Sequence, residues 1–171
     1  GQLIESAPQA QDGGAQPLDL SSLAGGAQAA AAAAPAADAV PPITGDPASD
    51  YKASYELFVN GQYAPAETAF RQFLAAYPGD PRSADANYWL GQSLFSRGMY
   101  REAAVEFVNG HKLYPKSARA ADTMLLLGKS LAGIPNRELA CQTFAAALKQ
   151  YPNMSNALRQ RVIVEQANAG C

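Results

Sequence analysis

The chain has 171 residues and a formal net charge of −2, with 13 Lys+Arg against 15 Asp+Glu, a length that fits one domain or one domain with a tail. The charge is unevenly divided: residues 1–50 hold Glu5, Asp12, Asp19, Asp38, Asp46 and Asp50 with no Lys or Arg, so every basic residue falls after them. Those basic residues are scattered rather than clustered, which argues against a nucleic-acid partner, and no run approaches the ~20 apolar residues of a membrane span, so no membrane insertion is expected.

In chain order, residues 1–49 read as a disordered, acidic, Ala/Gly/Pro-rich linker. Gly13-Gly14, Gly25-Gly26, Pro41-Pro42 and the run Ala29–Ala34 interrupt isolated apolar residues without a sustained period, and such a segment cannot offset its chain entropy by burial. The alanine run lies too deep and lacks the positive flank of a signal-peptide core. The phrase PLDLSSLAGG reads as plain linker more readily than as a docking motif. The chain opens on Gly1 rather than Met, from which a signal peptide or a larger N-terminal part is expected upstream.

From Asp46 the character changes. Asp46-Pro47 or Ser49 would cap a helix running to about residue 60, and Gly61 would separate it from a second over 64–76. Further pairs are predicted over 82–97 and 100–113, then 118–132 and 136–150, with a seventh helix over 155–167. The pairs share a register. Tyr77-Pro78, Tyr114-Pro115 and Tyr151-Pro152 recur 37 residues apart, as do Leu57, Leu94 and Leu131, then Ala66, Ala103 and Ala140, then Phe70, Phe107 and Phe144. A fixed period in this range marks stacked supersecondary units. In the central copy Leu90, Gly91 and Leu94 share one face of a first helix, and Gly91 leaves room for a close neighbour. Ala103 and Phe107 share one face of a second helix, and Pro115 marks its exit. The first copy has Ala53 where the others have Leu90 and Leu127. One hairpin cannot bury both its faces, so the copies must stack.

Leu-Gly, Leu three residues on, Ala nine further, Phe four further and Pro eight further resembles the tetratricopeptide repeat. The resemblance implies an all-α solenoid of three helix-turn-helix repeats with period 37, over about 50–78, 83–115 and 120–152 within a domain 50–171. A capping helix over about 155–168 would close it. The family's usual period is 34, so an extra helical turn or a longer connector is expected in each unit. In the central copy Asn87 stands at the family's Trp column, with Trp89 two residues on.

The two cysteines are Cys141 and Cys171. If the last helix folds back about Pro152, residues near 164 come level with Cys141, and Gly170 can turn the tail toward it. A Cys141–Cys171 disulfide would follow and would imply an oxidising compartment, in bacteria the periplasm. The other reading is a small core-facing Cys141 and a separate terminal thiol.

No catalytic, metal or cofactor site is expected. His111 is the sole histidine, too few for a zinc cluster, and reads as a surface or groove residue. Gly128-Lys129-Ser130 imitates the end of a phosphate loop, but Thr123 stands where that motif needs glycine. Glu102 and Glu106 read as a solvated helix face, and Asn153-Met154-Ser155 as an accidental glycosylation match.

What remains is a protein-binding surface. In tetratricopeptide arrays the first helices line a concave groove, which the resemblance implies here to be Tyr51, Tyr55 and Phe58, then Asp85, Tyr88, Gln92 and Phe95, then Asp122, Leu125 and Lys129. Aromatic residues flanked by a few polar ones suit a helix or an extended peptide. Tyr88 and Gln92 stand where carboxylate-clamping members place Lys and Asn, so that activity is not implied.

The phrases DANYWLGQSLFSRGMYREAAVEF, YPKSARAADTMLLLGKSLA and ACQTFAAALKQYP resemble the C-terminal domain of the periplasmic Tol–Pal system family called YbgF or CpoB, over roughly residues 50–171. The terminal Cys with a mid-helix Cys is similar to its alphaproteobacterial branch. The resemblance implies a signal-bearing precursor with a trimerising N-terminal coiled coil; residues 1–50 carry no sustained heptads. It also implies binding to the energy-transducing protein TolA, and coordination of peptidoglycan synthesis with outer-membrane constriction at cell division. A non-enzymatic periplasmic adaptor is therefore expected. A scaffold of an outer-membrane protein assembly complex shares the Tyr-Pro phrasing, but would call for a lipid-attachment cysteine near its start. A solenoid joined to a cell-wall-cleaving enzyme would need a further domain with a catalytic acid.

Overall fold

Seven helices follow one another within residues 39–171, the residues described by the computed structural model: α1 (Pro47–Val59), α2 (Tyr63–Ala76), α3 (Ser83–Ser96), α4 (Tyr100–Leu113), α5 (Ala120–Gly133), α6 (Arg137–Gln150) and α7 (Asn156–Asn168). Most of the linker expected over 1–49 lies outside the described residues. The helices form three antiparallel pairs, α1/α2, α3/α4 and α5/α6, followed by the single α7. The extra length of each repeat sits in the connectors 77–82 and 114–119; the helices from α2 to α6 each remain 14 residues long.

Local chemistry starts and stops these helices. The Asp46 carboxylate accepts from the backbone N–H of Ala48 and Ser49, with Pro47 at the first helical position. Gly61 and Gly98 turn the chain between paired helices at φ 77° and 76°, a left-handed conformation that L side chains resist. Asn136 and Ser155 cap α6 and α7 by accepting from the N–H of Leu139 and Leu158.

Each pair closes on one contact. Phe70, Phe107 and Phe144 are all 0% exposed, and each ring belongs with a small residue one column across: Ser54, Gly91 and Gly128. A Cβ built on Gly91 would stand 2.5 Å from Phe107 Cε1, and one on Gly128 would stand 2.3 Å from Phe144 Cε1. Ser54 fits the same column because its hydroxyl turns back to donate to the Asp50 carbonyl at 2.8 Å.

The fold reaches upstream of residue 50. The buried Asp50 carboxylate accepts from the Thr44 hydroxyl at 2.7 Å, from the Thr44 N–H, and from the Tyr77 hydroxyl at the end of α2. The Tyr77 bond, supported by Thr44, holds the Asp50 carboxyl below its ordinary pKa, and the same bond holds the Tyr77 phenol above its own.

Successive hairpins meet along a column whose chemistry changes at every step. Glu67 in α2 pairs with Arg97, just past α3. One period on, Ala104 in α4 and Ile134, just past α5, line a common cavity. One period further, Cys141 in α6 and Cys171, just past α7, form a disulfide with Cα atoms 5.6 Å apart. The helix α7 thus stands in the place of a fourth repeat's first helix, and Cys171 occupies the place held by Arg97 and Ile134. It buries only Leu158 and Val162. The covalent link, the Lys129–Glu165 pair at 2.9 Å and the Arg137 bond to the Gly170 carbonyl hold it down.

Two expectations follow. The lowered Asp50 pKa contributes stability that is complete above the ordinary carboxylate pKa and is lost as pH falls through the folded-state value. Asp50→Asn is therefore less stable than the parent in urea at pH 7, and the gap closes below roughly pH 4; a gap independent of pH would contradict this. Cys171→Ser opens a loop with a sequence separation of 30, which costs about 3–4 kcal/mol in the chain-entropy description. The loss should show first as faster amide exchange in α7, and unchanged exchange there would contradict the role given to the staple.

Candidate functional site

The first helices α1, α3, α5 and α7 share one face, and the sequence places aromatic side chains on it at helical spacing. Tyr51, Tyr55 and Phe58 of α1 form a ladder, with ring centroids 6.3 Å and 6.5 Å apart at successive steps. Trp89 of α3 closes over the ladder, 5.0 Å from Tyr55 and 4.8 Å from Phe58, and its indole N–H donates to the Tyr51 hydroxyl at 3.1 Å. Tyr63 extends the cluster 5.4 Å beyond Phe58. The rings of Tyr55, Phe58 and Trp89 are half-buried, each keeping part of its surface in water.

Charged residues on this face are paired across neighbouring helices. Arg119, at the start of α5, donates to Asp85 of α3 at 3.0 Å and lies 4.9 Å and 5.1 Å over the rings of Tyr88 and Trp89. Asp122 of α5 faces Arg161 of α7 at 3.8 Å, and Lys129 pairs with Glu165 while lying 5.7 Å over Phe95. These three pairs are partly solvated and each contributes at most about 1 kcal/mol to stability. Their larger effect is to leave the face electrically neutral.

The expected groove residues divide in two. Tyr51, Tyr55, Phe58, Asp85, Gln92, Phe95, Asp122 and Lys129 are half-buried on or beside this face. Tyr88 and Leu125 are core instead, 7% and 1% exposed. They stand in the column of Tyr51, which turns toward the second helix of its own pair, as Tyr51 does with Phe73 at 5.8 Å. Arg119 and Trp89 also cover Tyr88 from outside. Burial first, then the Asp122 carboxylate, raises the Tyr88 phenol above its ordinary pKa. Substitution at Tyr88 therefore damages the core before it reports on binding.

Sequence reasoning missed Trp89, Arg119, Arg161 and Glu165 as contributors. Trp89 stands four residues after Asp85 on one helix face, a spacing that could have placed it here. Arg119 meets Asp85 across 34 residues of sequence, and no periodic signal announces that contact. Cys141 and Cys171 are joined as one of the two sequence readings held. Among the described residues no cluster of three or more His, Cys, Asp or Glu is arranged to hold a metal ion, and no helix is long and apolar enough to cross a membrane.

Comparison with known proteins identifies the class. The tetratricopeptide-repeat family matches residues 51–118 and again residues 122–153. Among solved structures, PcrH from Pseudomonas aeruginosa superposes with a TM-score of 0.65 at 14% identity, over 77% of this chain and 96% of PcrH. PcrH in complex with the chaperone binding region of PopD gives 0.63 at 15% identity, over 72% of this chain and 90% of that one. The second tetratricopeptide domain of human RPAP3, in complex with an HSP70 peptide, gives 0.60 at 15% identity, over 72% of this chain and 94% of that domain. No curated protein matches the chain by sequence. Residues 51–153 are thus a tetratricopeptide-repeat domain, an all-α solenoid of the class that mediates protein–protein interaction, in which the first helices line the concave side.

Because Arg119 both neutralises Asp85 and covers Trp89, Arg119→Ala should expose the indole. Acrylamide quenching of Trp89 fluorescence is expected to rise, with a stability loss of about 1 kcal/mol from the cation–π and ion-pair contacts. Unchanged quenching would contradict the position assigned to Arg119.

Proposed function

We propose that the chain is a non-enzymatic adaptor of the periplasmic Tol–Pal system. It takes a helix or extended segment of a TolA-type partner in its concave face, and so helps coordinate peptidoglycan synthesis with outer-membrane constriction during cell division. The observation that carries the binding role is the neutral aromatic ladder Tyr55–Phe58–Trp89. Its partly exposed rings offer apolar area that a partner would desolvate, and rings of this kind carry a large share of binding energy in protein interfaces. With Asp85, Asp122 and Lys129 already paired, the face selects by shape and apolar packing rather than by capturing a charged chain terminus. The Cys141–Cys171 disulfide supports the periplasmic assignment, since such bonds persist in oxidising compartments. The likeness of residues 50–171 to the YbgF/CpoB family supports the choice of system.

Trp89 is the single tryptophan and reports on its own site. Titrating the helical segment of a TolA-type protein into the full chain should shift its emission saturably. Tyr55→Ala and Phe58→Ala should each weaken the apparent affinity about tenfold, the equivalent of about 1.4 kcal/mol. An emission spectrum indifferent to the segment, or affinities unchanged from the parent chain in both variants, would overturn the reading.

A further inference from the structure

The two junctions between neighbouring second helices, α2/α4 and α4/α6, are built from the same columns with opposite chemistry. Between α2 and α4 the junction is bridged by the chain itself: Glu67 pairs with Arg97 and with Arg71 at 3.3 Å, and Arg71 pairs with Glu106 at 3.2 Å. One period of 37 on, between α4 and α6, those four residues become Ala104, Ile134, Val108 and Thr143. All four line a single cavity of about 370 Å³, together with Val105, Leu127, Leu131 and Leu139. Val105 and Leu139 stand at its mouth, 55% and 43% exposed. A bridge has been removed column by column, and an apolar trough is left in its place.

The polar groups of the trough indicate what fits it. The Thr143 hydroxyl donates to the Leu139 carbonyl at 2.7 Å and is already satisfied. Arg101 and Asn109 also line the trough, on the α4 wall, and their side chains have no ion-pair or hydrogen-bond partner among the described residues. They lie eight residues apart, about 12 Å along a helix axis. That length matches the i, i+4, i+7 stripe of an amphipathic helix, and an exposed guanidinium at one end calls for a carboxylate.

We propose that this convex trough is a second docking site, distinct from the aromatic concave face, for an amphipathic helix of a partner protein. The helix lays an apolar stripe between α4 and α6 and places an acidic side chain against Arg101. The two faces let one domain hold two proteins at once.

The test uses the full oxidised chain and a stapled helix with Leu at i, i+4 and i+7 and Glu one turn before the first Leu, set against the same helix with Lys for Glu. Methyl NMR should show saturable shifts confined to Val105, Val108, Leu131, Ile134 and Leu139, with the Glu helix bound about tenfold more tightly. Arg101→Glu should reverse that preference. Transplanting the first junction's bridge, Ala104→Glu, Val108→Arg, Ile134→Arg and Thr143→Glu, should abolish binding. Val105→Asp, at an exposed position, should do the same without touching the floor, and Trp89 emission should stay unchanged throughout. Absent shifts, equal affinity for both helices, or binding that survives Val105→Asp would overturn the proposal. So would the same methyls shifting with protein concentration alone, which would assign the trough to a second copy of the chain.

Discussion

The seat of a phenylalanine ring against a residue with almost no side chain is the constraint on which the rest of this structure depends. Phe70, Phe107 and Phe144 are completely buried, and full burial of such a ring is worth roughly 1.5–3 kcal/mol. The gain is available only because Ser54, Gly91 and Gly128 let the paired helix come close. That approach sets the spacing of every hairpin, and a regular hairpin stacks on its neighbour at a repeated angle. The first helices then share one face and the second helices another. Both candidate binding surfaces are consequences of this one packing rule.

Stacking leaves the chain free to choose what joins successive units. The Glu67–Arg97 column is an ion pair at the first junction, an apolar gap at the second and a disulfide at the third. The energetics suit the positions. A partly exposed ion pair contributes little beyond closing the surface, and the first junction is already secured by the aromatic cluster around Trp89. The last junction carries a helix with only two buried residues, so a covalent link supplies what packing does not. The middle junction is held by the solenoid on both sides and can leave its cleft open.

Much of the fold was legible because it is written in periodic columns. Helix ends fell where Asp46, Gly61, Gly98 and the Tyr-Pro steps placed them, and Gly91 marked a close approach, while the ring that fills it, Phe107, is shown by the structure. Contacts between repeats were less legible. Tyr88 and Leu125 lie on the same helices as the half-buried residues of the first-helix face, and their burial shows that they belong to the core. Arg119 reaches Asp85 from outside its own helix, so no spacing rule finds it. The cysteine pair left two readings open in sequence. The column linking Cys171 to Arg97 and Ile134 becomes visible once α7 is seen to stand in the place of a fourth unit's first helix.

In the proposed function the concave face is where this architecture meets a partner. Its rings are held by α1 and α3, its charges are cancelled across α3, α5 and α7, and nothing in its chemistry requires the ligand to be charged. The most direct measurement is a set of intermolecular NOEs between the full chain and a TolA-type helical segment. The account requires contacts from the ligand to Tyr55, Phe58, Trp89 and Gln92, whereas contacts only to the second helices, or none to those rings, would contradict it.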